Sequence, residues 1–204
     1  TSPASCTYGD AFTTPAAMTA TGYTFGAWSV NNKTFNASTS VACNSTNLGV
    51  TSGTATLTAT WTANTYTITL NDSANGGTGG TGTAKEVYAT KWTNSSGTTI
   101  TSVTVPTKAA SGSNYYVFTG YYTAASGGTQ KIPASGTLPA NTTFTADTTL
   151  NAQFGTCACT KGTNVSACSA TGVSSNKCTY SYTCTAGYNN GGNNKRAEIN
   201  IDYT

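Results

Sequence analysis

The sequence predicts an all-β fold, and three observations carry that prediction. Threonine and serine make up roughly a third of the 204 residues, and threonine, branched at Cβ, suits a half-buried pleated surface. Twenty-two glycines supply turns, and no window of the chain sustains the 3.6-residue apolar period of a helix. The 12 Tyr, 6 Phe and 3 Trp can bury enough area to form a core, although only 7% of residues are charged.

Taken in chain order, the expected strands fall into a repeat. Tyr23-Thr24-Phe25-Gly26-Ala27-Trp28 recurs as Tyr116-Val117-Phe118-Thr119-Gly120-Tyr121, and Thr56-Leu57-Thr58-Ala59-Thr60-Trp61 recurs as Thr149-Leu150-Asn151-Ala152-Gln153-Phe154. Both pairs are separated by 93 positions, so the copies keep register across the span between them. The shared positions Tyr23, Phe25, Trp28, Leu57, Trp61, Tyr116, Phe118, Leu150 and Phe154 are therefore the expected repeat core. The second copy opens with the alternating strand Tyr66-Thr67-Ile68-Thr69-Leu70, and the first copy has no counterpart to it. Near the other end, Ala197-Glu198-Ile199-Asn200-Ile201-Asp202-Tyr203 alternates in the same way, with Ile199, Ile201 and Tyr203 on one face.

A copy that lacks a strand exposes unpaired backbone groups and apolar side chains, which a donated strand would satisfy. The terminal segment is the expected donor, supplied in trans by another copy. Two other readings stand beside that one: a longer tandem protein cut at an arbitrary point, and a strand that folds back in cis.

Seven cysteines, Cys6, Cys43, Cys157, Cys159, Cys168, Cys178 and Cys184, are expected to form disulfides. Five of them crowd into a stretch rich in Gly, Ser, Thr and Asn, where cross-links must replace hydrophobic burial. The spacings are irregular, without a C-x-x-C knuckle or any histidine, which argues against zinc. An odd count leaves one thiol free or paired with another chain. A bridge from the region of Cys184 to Cys6 of a neighbouring copy and a Cys6–Cys43 bridge within the first copy are both open. Disulfides imply an oxidising, extracellular location.

The expected organisation is thus residues 1–63 as an incomplete first repeat and 64–155 as a complete second one. The second carries a long excursion, Thr78 to Asn114. Residues 156–188 form a cysteine-rich loop module, and 189–204 a flexible linker followed by the candidate donor strand.

The repeat motifs resemble the internalin-type B-repeat of bacterial surface proteins. The resemblance rests on Tyr116 to Tyr122, Ala124 to Thr129, Asp147 to Phe154, and Tyr66 to Asn71 followed by Gly76-Gly77. It covers about residues 7–155 and excludes the cysteine-rich module. It departs from the pattern at Ala27 and Ser29 of the first copy and in the excursion of the second. The resemblance implies β-grasp-like domains in tandem, on a secreted or surface-anchored protein linked to adhesion, with no catalytic residues to carry over.

Other chemistry finds little footing. Without histidine, the Ser-His and Cys-His nucleophile arrangements are excluded. The six acidic residues are scattered, and Gly76 to Gly82 lacks the Gly-Lys-Ser/Thr ending of a phosphate loop. The net charge of +3 has no basic cluster larger than Lys195-Arg196, so no nucleic-acid footprint is expected. No apolar run approaches the ~20 residues that span a bilayer. No cofactor, metal or enzymatic activity is expected. The expectation is an extracellular structural subunit of a bacterial surface filament or stalk whose partners are copies of itself. The rival is an adhesin segment that binds glycan or host protein through exposed aromatics, with Trp92, Tyr115 and Tyr122 as the candidates.

Overall fold

The computed structural model describes residues 5–140, 143–161, 163 and 165–184. Strands dominate it. Helix is confined, among the described residues, to α1 (Ser45–Leu48) and a 3-10 turn at Asp72–Asn75, four residues each.

The first part holds β1 (Ala11–Thr13), β2 (Tyr23–Val30), β3 (Lys33–Phe35), β4 (Ser40–Ala42) and β5 (Thr58–Ala63). β1 pairs antiparallel with β4, and β3-β2-β5 form a separate antiparallel sheet. Asn31 and Asn32 join β2 to β3 with φ of 48° and 57°. A two-residue hairpin turn of this hand needs positive φ at both positions, which asparagine tolerates. The Cys6–Cys43 disulfide and the bonds Gly9 N–H to Cys43 O (2.9 Å) and Cys43 N–H to Asp10 O (2.7 Å) continue the β1–β4 pairing. Buried Thr14 links the two small sheets, its hydroxyl donating to Asn36 O at 2.6 Å and accepting from Thr39 N–H at 2.9 Å.

The second part holds β6 (Thr65–Asn71), β7 (Gly77–Thr78), β8 (Thr83–Val87), β9 (Lys91–Thr93), β10 (Thr99–Ile100), β11 (Thr107–Lys108), β12 (Tyr116–Tyr122), β13 (Gln130–Pro133) and β14 (Thr148–Thr156). Seven of these make one sheet in the order β10-β9-β8-β6-β14-β12-β13. Its two central strands, β6 and β14, run parallel, with Leu70 beside Leu150, while every other neighbour is antiparallel. The alternation Tyr66, Ile68, Leu70 turns one face of β6 into the core, where Ile68 and Leu70 meet Phe118, Tyr121, Ile132 and Leu150. β7 and β11 form a small ladder beside this sheet.

The segment Thr78 to Asn114 contributes strands to this sheet. The alternation of Ala84 and Glu86 gives β8 a buried face, and β8 pairs directly with β6. β9 and β10 then extend the sheet outward.

The cysteine-rich module also differs from the expected loops. β15 (Val165–Ser174) and β16 (Lys177–Cys184) form a long antiparallel hairpin. Ser175 and Asn176 close it with φ of 47° and 56°. Thr- and Ser-rich strands pair without a deep core here: Ser169 and Ser181 hydroxyls lie 2.9 Å apart across the ladder. Cys157–Cys178 ties β16 to the end of β14, and Cys159–Cys168 ties the entering chain to β15. Cys6 is bonded to Cys43, not to a neighbouring copy. The seventh cysteine, Cys184, is the last residue of β16.

Candidate functional site

The repeat read from the sequence reappears as backbone register. β2 pairs with β5 as Tyr23↔Ala63, Thr24↔Thr62, Phe25↔Trp61, Trp28↔Ala59 and Ser29↔Thr58. β12 pairs with β14 as Tyr116↔Thr156, Val117↔Gly155, Phe118↔Phe154, Tyr121↔Ala152 and Tyr122↔Asn151. Every pair is displaced by 93 positions, and both ladders carry a bulge after the equivalent phenylalanine, Phe25 or Phe118. The hairpin partner is equivalent too, since Trp28 faces Phe35 on β3 as Tyr121 faces Ile132 on β13. Even the closing bonds match: Asn64 N–H donates to Gly22 O, and Cys157 N–H to Tyr115 O, both at 2.8 Å.

What differs is the far side of the last strand. β14 has β6 beside it, whereas among the described residues β5 is the edge of its sheet. The local consequence is visible in the chain. β14 begins at Thr148 because Thr148 to Asn151 pair with Ile68 to Asn71. The equivalent residues Ala55, Thr56 and Leu57 lie outside any strand, and β5 starts only at Thr58. Among the described residues, no neighbouring strand holds them in a ladder.

Burial follows the same division. Leu150 and Ala152 are fully buried, as are Tyr121 and Ile132. Their counterparts Leu57, Ala59 and Phe35 are only half-buried; of the four, Trp28 alone is buried, its indole N–H donating to Pro15 O at 2.8 Å. Phe118 is buried and its equivalent Phe25 is not, though Phe25 still packs edge-on against Trp61 with centroids 5.7 Å apart. Among the described residues, the first sheet thus leaves the outer edge of β5 without a strand partner, beside an apolar face that is only half-buried. That edge is the candidate site.

The expected core residues divide accordingly. Trp28, Phe118 and Leu150 are buried; Phe25, Leu57, Trp61, Tyr116 and Phe154 are half-buried. Tyr23 is a correction. It is 36% exposed and stacks edge-on against Tyr88 at 5.3 Å, because its side of β2 meets the start of the following sheet and no core.

The three aromatics expected to contact a ligand are not one surface. Trp92 is a correction, being only 5% exposed. Its ring packs edge-on against Phe144 at 5.9 Å and its N–H donates to Pro139 O at 3.0 Å, so no face is left for a sugar. Tyr122 lies on β12, separated from β9 by the three intervening strands, roughly 19 Å at the usual strand spacing. Tyr115 is half-buried just before β12. The aromatic Tyr116 is occupied on one side by Lys108, whose Nζ sits 4.3 Å above its ring centroid.

Two buried polar groups brace the second sheet. Tyr121 donates its hydroxyl to Asp72 at 2.6 Å, and the other Asp72 oxygen accepts from Gly80 N–H at 2.8 Å. Burial first, then the adjoining carboxylate, pushes the Tyr121 phenol well above its ordinary range, so it stays a donor. Glu86 is 2% exposed; one oxygen accepts from Phe144 N–H at 2.8 Å and the other has no partner among the described residues. Desolvation raises its pKa, with the Phe144 bond opposing. Sequence reasoning missed Glu86, whose only signal was a carboxylate at a core-facing alternation. Among the described residues no group of three His, Cys, Asp or Glu could hold a metal ion. No described helix is long and apolar enough to cross a membrane. The candidate donor residues Ile199, Ile201 and Tyr203 lie outside the described residues.

The chain matches no family model, no curated protein and no solved structure.

Proposed function

We propose that this chain is an extracellular structural subunit of a bacterial surface filament or stalk. It assembles head to tail, with residues 197–203 of one copy entering the open edge of β5 in the next. The observation that carries this reading is the contrast between two equivalent strands, β14 with its neighbour β6 and β5 with none among the described residues. A second copy brings a segment with apolar residues on alternate positions, as in β6.

The β-grasp-like character of the repeats belongs to the same proposal. The second repeat opens with β6 and closes with β14, and the two lie side by side and parallel inside the sheet. The likeness to bacterial B-repeats supports the surface location, and three disulfides fit a secreted or extracellular protein. The function is mechanical: laterally paired strands resist extension, and cross-links secure the thinly packed hairpin. The adhesin alternative has lost Trp92 to the core.

Light scattering of the purified chain, with and without residues 195–204, tests the reading. Long assemblies that collapse to monomers on truncation are expected. A monomer in both forms overturns it.

A further inference from the structure

Resting on that assembly reading, we infer the direction and register of the inserted strand. It runs parallel to β5, with Ile199 opposite Ala55, Ile201 opposite Leu57 and Tyr203 opposite Ala59. The occupant is residues 197–203 of a second copy.

Direction comes from the duplicated register. Because the β2–β5 and β12–β14 ladders agree at five partner pairs and at the bulge, the open edge of β5 corresponds residue by residue to the edge that β14 presents to β6. β6 fills that edge in parallel, with Ile68 at Thr148 and Leu70 at Leu150. The same displacement of 93 positions carries Thr148 to Ala55 and Leu150 to Leu57. An antiparallel donor would have to abandon the geometry that the second sheet uses at the same place.

Register comes from the side chains. Ile68 and Leu70 are two residues apart, and both are buried in the core. Ile199 and Ile201 are the only pair in the donor segment with that spacing and chemistry. A slip of one residue would turn Asn200 and Asp202 inward, burying a carboxylate without a partner. A slip of two would set Tyr203 in the place of Leu70 and bury its hydroxyl in an aliphatic site.

The third position agrees through an exchange between the two sheets. With Ile201 in the place of Leu70, Tyr203 comes where Asp72 stands in the second sheet. There Asp72 is needed as acceptor for the Tyr121 hydroxyl. In the first sheet the equivalent of Tyr121 is Trp28, whose N–H is already satisfied by Pro15 O. No carboxylate is required at that point, and an aromatic ring can pack against the indole instead. A polar pair in one copy becomes an aromatic pair in the other.

Cysteine pairing between copies tests this. Full-length chains carrying Ala55→Cys are mixed with chains carrying Ile199→Cys, oxidised, and run on a non-reducing gel beside the parental chain, which reports any background from Cys184. Neighbouring strands bring facing Cα atoms within disulfide range, so a covalent dimer is expected. Ala55→Cys mixed with Tyr203→Cys, the antiparallel pair, should give none, and neither should Leu57→Cys with Tyr203→Cys, the slipped pair. A dimer from either of those in place of the first overturns the register while the assembly reading stands. A parental chain that is monomeric by light scattering overturns both. Hydrogen exchange on the unsubstituted chain gives an independent readout. Assembly should slow exchange at residues 55–57 relative to the chain truncated after residue 194. Unchanged exchange there in intact assemblies overturns the register.

Discussion

Asn176 grips both backbone groups of Phe118: its Nδ2 donates to Phe118 O at 2.8 Å, and its Oδ1 accepts from Phe118 N–H at 2.7 Å. The side-chain amide acts as one peptide unit of a neighbouring strand, at a point that β13 does not reach. The tip of the β15–β16 hairpin is thereby docked on the edge of the seven-stranded sheet. A cavity of about 360 Å³ lies beneath it, between Val105, Lys108, Tyr116 and Val173. Asparagine suits the position twice over, because its φ is positive and its amide both donates and accepts.

Asn176→Asp keeps the backbone preference and the acceptor but removes the donor, and sets a carboxylate oxygen against Phe118 O. It should cost about 1–3 kcal/mol, the range for an unsatisfied partly buried group. Native-state hydrogen exchange should show the Phe118 amide opening before the rest of β12. Unaltered exchange and stability would show that the clamp contributes nothing.

Cys6–Cys43 closes a sequence separation of 37 residues around the smaller sheets. Chain-entropy arithmetic for a loop of that length gives about 4 kcal/mol. The double variant Cys6→Ser/Cys43→Ser should therefore loosen β1, β4 and the β3-β2-β5 sheet at a denaturant concentration that leaves the seven-stranded sheet folded. Exchange protection of β2 and β5, against that of β6 and β14, separates the two transitions. A single shared transition contradicts the prediction.

Glu86 is an acid whose pKa is raised by burial above its ordinary value of 4.5. The folded chain therefore holds its proton more tightly than the unfolded chain does. The stability contributed by the protonated form is complete below about pH 4.5 and is lost as pH rises through the raised value. Glu86→Gln keeps an oxygen for Phe144 N–H and removes the charge. It should flatten this part of the pH–stability curve and raise Tm at pH 7 by about 2–4 °C, the shift expected for about 1 kcal/mol in a chain of this size. A lower Tm for the variant at pH 7 would show that the carboxylate is paired after all.

Leu150 and Leu57 occupy the same repeat position, one covered by β6 and the other, among the described residues, on the side of β5 that has no strand neighbour. Leu150→Ala should cost about 2–5 kcal/mol, the range for a buried leucine. In chains truncated after residue 194, Leu57→Ala should cost about 1 kcal/mol, reflecting its partial exposure. In intact assemblies the Leu57 penalty should grow toward that of Leu150, read as earlier dissociation on heating. Equal penalties in the truncated chain would mean that the edge is already filled.

The sequence by itself determined the class of structure and much of its local grammar. Threonine-rich alternation and abundant glycine dictate strands and turns, because side-chain period is a property of neighbouring residues. The 93-position spacing of the aromatic motifs was also legible, and it returned as identical ladder register in β2–β5 and β12–β14. Crowded cysteines foretold cross-links but left their partners open. Tertiary structure decided which distant segments became neighbours. It placed β6 parallel to β14, brought β8 and β9 into the main sheet, and buried Trp92. It also moved Tyr23 outward, chose Cys6–Cys43 and set Asn176 on Phe118. These outcomes depend on contacts between residues dozens of positions apart. Each is fixed by the combined backbone pairing and packing of whole strands, and no local pattern at Trp92 or Asn176 encodes it.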